Sequence, residues 1–208
     1  MRLLLLSLWA GAAGAVAAPD HWSFESYLGD AYNFRTPLKI TQDGGYSRSI
    51  YADYRTNGFE SPLYYVVRGS HWEEGRAWEL SLTHHKLYLR NPPSGVTALS
   101  VSHGYNLLTV NRACRRGDWV YRLGAGPVIT HAEGVINGIG YDGPYKLTGA
   151  ALLAGGGRRF YLDRATFFSL EAMMTAAYAR PAMSGPPNAE IEVGNVAFHA
   201  LAGIGHDF

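Results

Sequence analysis

The chain has a single cysteine, Cys114, among its 208 residues. No internal disulfide can form, so no disulfide framework holds the fold; Cys114 reads as a small apolar filler near a turn. Beyond the N-terminal stretch, no apolar run approaches the roughly 20 residues that a membrane-crossing helix needs. If the chain spans a membrane it must therefore do so with strands, because in hydrocarbon only helices and closed barrels pair every backbone donor and acceptor. Charge of one sign is also lacking. Lys+Arg number 18 and Asp+Glu 17, and removal of Arg2 with a leader leaves 17 of each. A neutral chain offers no basic footprint for nucleic acid. The sequence has no Gly-x-Ser-x-Gly nucleophile elbow. Gly155-Gly156-Gly157 is followed by neither Lys-Ser/Thr nor a helix, so it is no phosphate loop and no nucleotide cofactor is expected. Those glycines are expected to let a strand bend near one end.

What is present begins with an export pattern. Arg2 supplies a positive start, Leu3 to Trp9 open an apolar stretch, and Ala15-Val16-Ala17 fits a small-x-small cleavage site. Residues 1–17 read as a cleaved signal peptide, leaving 18–208 as one domain.

That domain reads as strands. From Gly194 the chain alternates: Gly194, Val196, Phe198, Ala200, Ala202, Ile204 and Phe208 share one apolar face, broken by His206, while Asn195, His199 and Asp207 share the other. A period of two is the signature of a strand. Tight connections at 73–76, 115–118 and 162–164 alternate with longer Pro/Gly-rich ones near 33–45, 91–95, 134–144 and 181–189. Short turns at one end and longer loops at the other are the transmembrane barrel pattern. Eight strands follow, at about 22–33, 46–72, 77–90, 96–113, 118–133, 146–161, 166–180 and 190–208, the second interrupted at Pro62. The expected fold is all-β: an eight-stranded antiparallel up-and-down transmembrane barrel with both termini at the periplasmic rim.

Tryptophan supports this count independently. Trp22, Trp72, Trp78 and Trp119 all fall at periplasmic strand ends, where amphipathic indoles form a girdle at the membrane boundary. On the seventh strand Phe168, Leu170, Met174 and Tyr178 make an apolar side, and Glu171 belongs on the other, in the lumen, because a lipid-facing carboxylate is costly. Eight strands leave an interior that side chains fill, which excludes an open pore. A soluble lipophile-carrying barrel shares the alternation and remains an alternative.

Polar residues concentrate in the outer halves of three consecutive strands: His84, His85 and Lys86; Ser100, Ser102, His103 and Asn106; His131 and Glu133. Sequential strands are neighbours, so these groups are expected together near the external mouth. His131-x-Glu133 places two donors on one strand face, suited to general acid/base work or to a metal. His84 and Lys86 continue the phase of Trp78, Leu80 and Leu82. A bulge at Thr83 to His85 that switches the faces, or a rise above the membrane, would resolve that conflict. A serine hydrolase is harder to build, because Ser102 and His103 are adjacent and point to opposite faces; Ser81 or Ser100 would need a histidine from another strand.

The run Phe59-x-x-Pro62-x-Tyr64-Tyr65-x-x-Arg68, then Thr83-His84-x-Lys86-x-Tyr88, then Ser102-x-Gly104-x-Asn106-x-x-Thr109-x-Asn111, then Gly124-x-Gly126 with His131-x-Glu133, resembles the outer-membrane lipid A oxidases across residues 59–133. The resemblance implies an outer-membrane enzyme of Gram-negative cells. It would oxidise the proximal glucosamine of lipid A to 2-aminogluconate with molecular oxygen and a divalent metal ion. On that reading His84, His131 and Glu133 hold the metal or move protons, with His103 beside them. Arg68 and Lys86 hold a lipid A phosphate. Tyr88 and Asn106, with His103, orient the sugar. The partners would be lipopolysaccharide and the membrane, with the protein a monomer. Two other functions compete: a barrel-type lipid A acyl hydrolase or acyltransferase, and a non-enzymatic structural barrel.

Overall fold

The computed structural model describes residues 20–208, so the signal-peptide reading lies outside the described residues. The elements are β1 (His21–Phe34), β2 (Thr36–Gln42), β3 (Tyr46–Ala52), β4 (Tyr54–Arg55), β5 (Tyr65–Glu73), β6 (Arg76–Leu89), β7 (Val96–Arg116), β8 (Trp119–Thr130), β9 (Glu133–Ile136), β10 (Ile139–Asp142), β11 (Lys146–Tyr161), β12 (Thr166–Ala179), β13 (Ala182–Met183) and β14 (Ala189–Asp207). No helix of the described residues is long and apolar enough to cross a membrane.

Eight strands close a ring in the order β1, β5, β6, β7, β8, β11, β12, β14 and back to β1, every pairing antiparallel. Closure leaves no free edge within the ring. The turns at 74–75, 117–118 and 162–165 and both chain ends of the described region gather at one rim. The expected second strand is not continuous. Residues 46–55 form β3 and β4, and only β5 from Tyr65 enters the ring. The chain between them folds against β1: Tyr64 N–H donates to Gly58 O at 2.8 Å and Gly58 N–H to Asp30 Oδ1 at 3.2 Å.

The far end is a second layer that loop-like sequence concealed. β2 continues the sheet beyond β14, with β3 beside it, and β9 pairs with the upper end of β7 and carries β10. Their inner faces converge with β6, β7 and β14 on one apolar cluster, in which Leu38, Ile40, Leu87, Val101, Leu107, Ile136 and Ile191 are buried. This plugs the mouth of the ring at the end away from the short turns. Below it lie a polar layer around His85 and His199, an apolar layer with Tyr27, Tyr64, Met173 and Leu201, and a lattice of charge. In the lattice Arg68 donates to Glu25 at 2.8 Å and bidentately to Glu171 at 3.1 Å. Arg122 bonds Glu79 at 3.0 Å and Glu171, and Arg159 bonds Glu25. Gly155 and Gly157 face this lattice, and a Cβ at 155 would sit 3.3 Å from a Glu171 oxygen. Gly155 and Gly157 thus make room for the crossing Glu171 side chain, and the register runs unbroken through them. Trp72, Ala77, Ala113 and Val120 close the near end.

The outside alternates with this interior. Phe24, Leu80, Leu123, Leu152, Phe168, Leu170, Phe198 and Ile204 are exposed on the wall, while Phe167, Glu171, Thr175, Asn195 and His199 are buried. The expected faces of the last two strands are therefore found, with Glu171 inside. Trp22, Trp78 and Trp119 stand outward at the near rim, 62%, 62% and 48% exposed, but Trp72 points in at 2%. It pairs directly with Ala77, whose parity faces the lumen, and its indole N–H donates to Ser23 Oγ at 3.0 Å. Three of the four tryptophans among the described residues thus stand outward at this rim.

A candidate functional site on the outer wall

The expected cluster forms around a bulge. Between the pairs His85↔Tyr105 and Leu87↔Val101, β6 advances two residues and β7 advances four. The extra residues fall at 102–104, so the bulge lies on β7 rather than at Thr83 to His85, and two inserted residues preserve parity. Gly104 has φ +156°, and a Cβ there would collide with the Asn106 amide, which explains the glycine. The bulge turns His103 outward. His131 N–H donates to Gly104 O at 3.0 Å, and the chain leaves β8 there to start β9 opposite Ser100.

His103, His131 and Glu133 consequently converge on the outer face at the external end, each offering a ligand atom, all within 4.8 Å. His103 Nδ1 and His131 Nε2 each lie 3.1 Å from Glu133 Oε1, and His131 Nε2 lies 3.0 Å from Asp142 Oδ1. Tyr145 covers His131, with ring centroids 4.6 Å apart, and its hydroxyl donates to His103 O at 2.9 Å. Asp142 and Tyr145 were missed in the sequence because both lie in or beside a segment that reads as a loop. Two imidazoles and a carboxylate suit a divalent transition metal. Tetrahedral bonds of about 2.0–2.1 Å set donors roughly 3.4 Å apart, near the two 3.1 Å separations from the imidazoles to Glu133.

His84 is not in this group. It stays on the outer face of β6, where Nδ1–H donates to Asn106 Oδ1 at 2.7 Å and the ring stacks on Tyr65 at 5.0 Å. Of the residues expected to hold a metal or move protons, the structure brings His131 and Glu133 together with His103 and leaves His84 apart. His84 and Asn106 form a neighbouring polar pair on the same wall.

The two cations expected to hold a phosphate are engaged elsewhere. Arg68 lies in the lumen, wholly enclosed by Glu25, Glu79 and Glu171. Lys86 keeps its outward parity but is covered by the 57–60 loop, donating to the carbonyls of Asn57 at 2.6 Å and Glu60 at 2.8 Å. Tyr88 lies near Arg55 and Lys86, its ring 6.0 and 5.7 Å from their charges. At the external seam between β2 and β14, Lys39 and Arg180 both bind Glu192 at 3.0 Å. The Tyr178 hydroxyl, then Lys39 and Arg180, hold that carboxyl down to about 2, so neither cation is free.

Among the described residues no serine relay is assembled at Ser81, Ser100 or Ser102: Ser100 Oγ lies 3.3 Å from Ser102 Oγ, and no hydrogen bond joins it to a histidine. Ser81 is buried in the lumen. Ser102 Oγ lies 3.5 Å from His103 Nδ1, but that same nitrogen faces Glu133 at 3.1 Å. A relay needs the acid and the nucleophile on opposite ring nitrogens.

Ring, filled lumen and apolar wall together define a closed antiparallel β-barrel. No protein-family model matches the sequence, and no curated protein matches it. Among solved structures the chain is similar to the outer membrane protein OprG from Pseudomonas aeruginosa, with TM-score 0.47 and 11% identity over 91% of this chain and 94% of that one. It is also similar to Ail, the attachment invasion locus protein of Yersinia pestis, with TM-score 0.42 and 12% identity over 90% and 99%. Neisserial surface protein A gives TM-score 0.39 and 12% identity over 91% and 97%.

Proposed function

We propose that the chain is a non-conducting outer-membrane barrel that works through its outer wall and external lobe. The observation that carries this is the filled lumen: an Arg–Glu lattice crosses the barrel below and an apolar core plugs it above, leaving the wall as the surface that meets other molecules. A contiguous apolar belt of this size needs an apolar surrounding, and Trp22, Trp78 and Trp119 mark one boundary of it. Fractionation of the producing cells tests the reading. Recovery in outer membranes, released by detergent alone, is expected; recovery in the soluble periplasm refutes it.

The second reading is catalytic, and the donor group of His103, His131 and Glu133 favours it. On the external wall these residues would meet a lipid A headgroup arriving laterally, with no need for a pore. A divalent metal held there would supply Lewis acidity. His131 would either help hold that metal or, with no metal bound, take the proton of the anomeric hydroxyl, and His84 with Asn106 would hold the sugar. The reaction balances when C1–H and O1–H leave with two electrons to molecular oxygen, giving hydrogen peroxide and a lactone. Water then opens the lactone to the carboxylate, for a net gain of one oxygen. Mass spectrometry of lipid A from aerated cells tests this. A gain of one oxygen on the proximal sugar, lost in His131→Ala, supports oxidation. A changed acyl chain supports an acyl enzyme, and unchanged lipid A leaves the non-enzymatic barrel.

A further inference from the structure

The near rim carries cations that neither the lumen nor the candidate site uses. Arg112 and Arg116 lie on the outer face of β7, either side of Cys114, and all three are exposed. Cys114 pairs with Arg76 of β6, which also points outward. Diagonal neighbours in an antiparallel pair have Cβ atoms roughly 7–8 Å apart, so three arginine side chains start around one small side chain. Arg112 is fixed over the Trp78 indole at 5.2 Å, a cation–π contact that pins it at the girdle. The acids at this rim are Glu73, directly opposite Arg76 with an oxygen 3.5 Å from His71, the exposed Glu74 in the turn before Arg76, and Asp118, which binds Arg158 at 3.3 Å. Glu73 and Glu74 lie at the Arg76 end and Asp118 is paired with Arg158, so Arg112 and Arg116 keep their positive charge at the boundary of the apolar belt. Just above it the wall is greasy: Leu80, Val110 and Leu123 are 56%, 53% and 67% exposed.

We infer that Arg76, Arg112 and Arg116 form a docking site for the headgroup of an anionic phospholipid in the periplasmic leaflet. The phosphate sits over Cys114, and the acyl chains lie along Leu80, Val110 and Leu123. Guanidinium forks match phosphate oxygens bidentately. The unneutralised charge selects an anionic lipid over a zwitterionic one of the same shape, since each interfacial cation adds attraction to an anionic headgroup. The small Cys114 leaves the space between the arginines open. This inference rests on the membrane-barrel reading, with the turn-bearing rim on the periplasmic side.

The test reconstitutes the processed chain in bilayers of mixed phosphatidylglycerol and phosphatidylcholine and counts retained lipids by native mass spectrometry. Retained phosphatidylglycerol should be enriched on the order of tenfold over its share of the bilayer. Arg112→Gln with Arg116→Gln should remove the enrichment, while Arg48→Gln on the external β2–β3 hairpin should not. Modification of Cys114 by a maleimide gives a second readout: it should be slower in phosphatidylglycerol than in phosphatidylcholine, and equal in the double variant. Equal retention of both lipids by a folded barrel overturns the inference alone, as does enrichment that survives the double variant. Failure of the chain to enter bilayers at all overturns the membrane reading with it.

Discussion

Glu171 is the place to perturb the lumen. It receives both guanidinium nitrogens of Arg68 at 3.1 Å and also Nη1 of Arg122. Its side chain and that of Arg68 have no exposed surface. Glu171→Gln keeps the volume and removes the charge, so three buried arginines would face two carboxylates. Breaking a buried pair by removing one partner costs about 3–5 kcal/mol, a large share of a typical total of about 5–15 kcal/mol. Arg122→Met should cost a similar amount, because it leaves the excess on the acid side. The double variant restores the balance, with Arg68 still bonded to Glu25 at 2.8 Å and Arg159 still bonded to Glu25. It should therefore cost less than either single change, where independent sites would cost about 6–10 kcal/mol together. The assay is urea unfolding of the barrel in lipid bilayers, followed by tryptophan fluorescence and by electrophoretic mobility of unheated samples. Single variants of wild-type stability, or a double variant with the summed loss, would refute the claim that the lattice holds the lumen as a coupled unit.

Further outcomes follow from particular side chains. In a chain beginning at residue 18 with Trp22, Trp78 and Trp119 replaced by Phe, the Trp72 fluorescence should resist quenching by brominated phospholipids, because that indole faces inward; strong quenching would place it on the wall. Gly124→Val should destabilise the barrel by about 1–3 kcal/mol, since a Cβ there meets the Asn111 side chain; an unchanged unfolding midpoint would contradict that packing. In the near-rim turn the Asp163 carboxylate accepts the N–H groups of Thr166 at 2.7 Å and Ala165 at 2.8 Å, which lower its pKa. A lowered carboxylate pKa contributes stability above the ordinary carboxylate range that is lost as pH falls through the folded-state value. Asp163→Ala should therefore be less stable than wild type at neutral pH, with the gap closing in acid; a gap independent of pH would count against the turn bonds.

Alternation made β12 and β14 legible in the sequence, because Phe168 to Tyr178 and Gly194 to Phe208 each present an exposed apolar side and a side buried in the lumen. The lumenal place of Glu171 follows from the same logic. Applied to every strand, that parity argument also marks Glu25, Glu79, Arg122 and Arg159 as partners. The break expected at Pro62 is found, but pattern alone does not show that the piece before Tyr65 lies outside the ring. The external core stayed hidden because β2, β9 and β10 come from segments with Pro and Gly punctuation, whose apolar residues become meaningful only when brought together. Depth was readable for Trp72, His84 and Lys86, whereas burial was not. Trp72 turns inward with its partner Ala77, and His84 and Lys86 remain outward but are covered by Tyr65 and the 57–60 loop. The meeting of His103 with His131 and Glu133 depends on a two-residue bulge in β7 that no periodicity announces.

The most direct test of a filled lumen is electrical. The refolded chain, inserted in a planar lipid bilayer under an applied voltage, should produce no stepwise conductance, because the Arg–Glu lattice and the external core leave no continuous water path. Reproducible channel steps at the level of an ion-conducting pore would contradict the account.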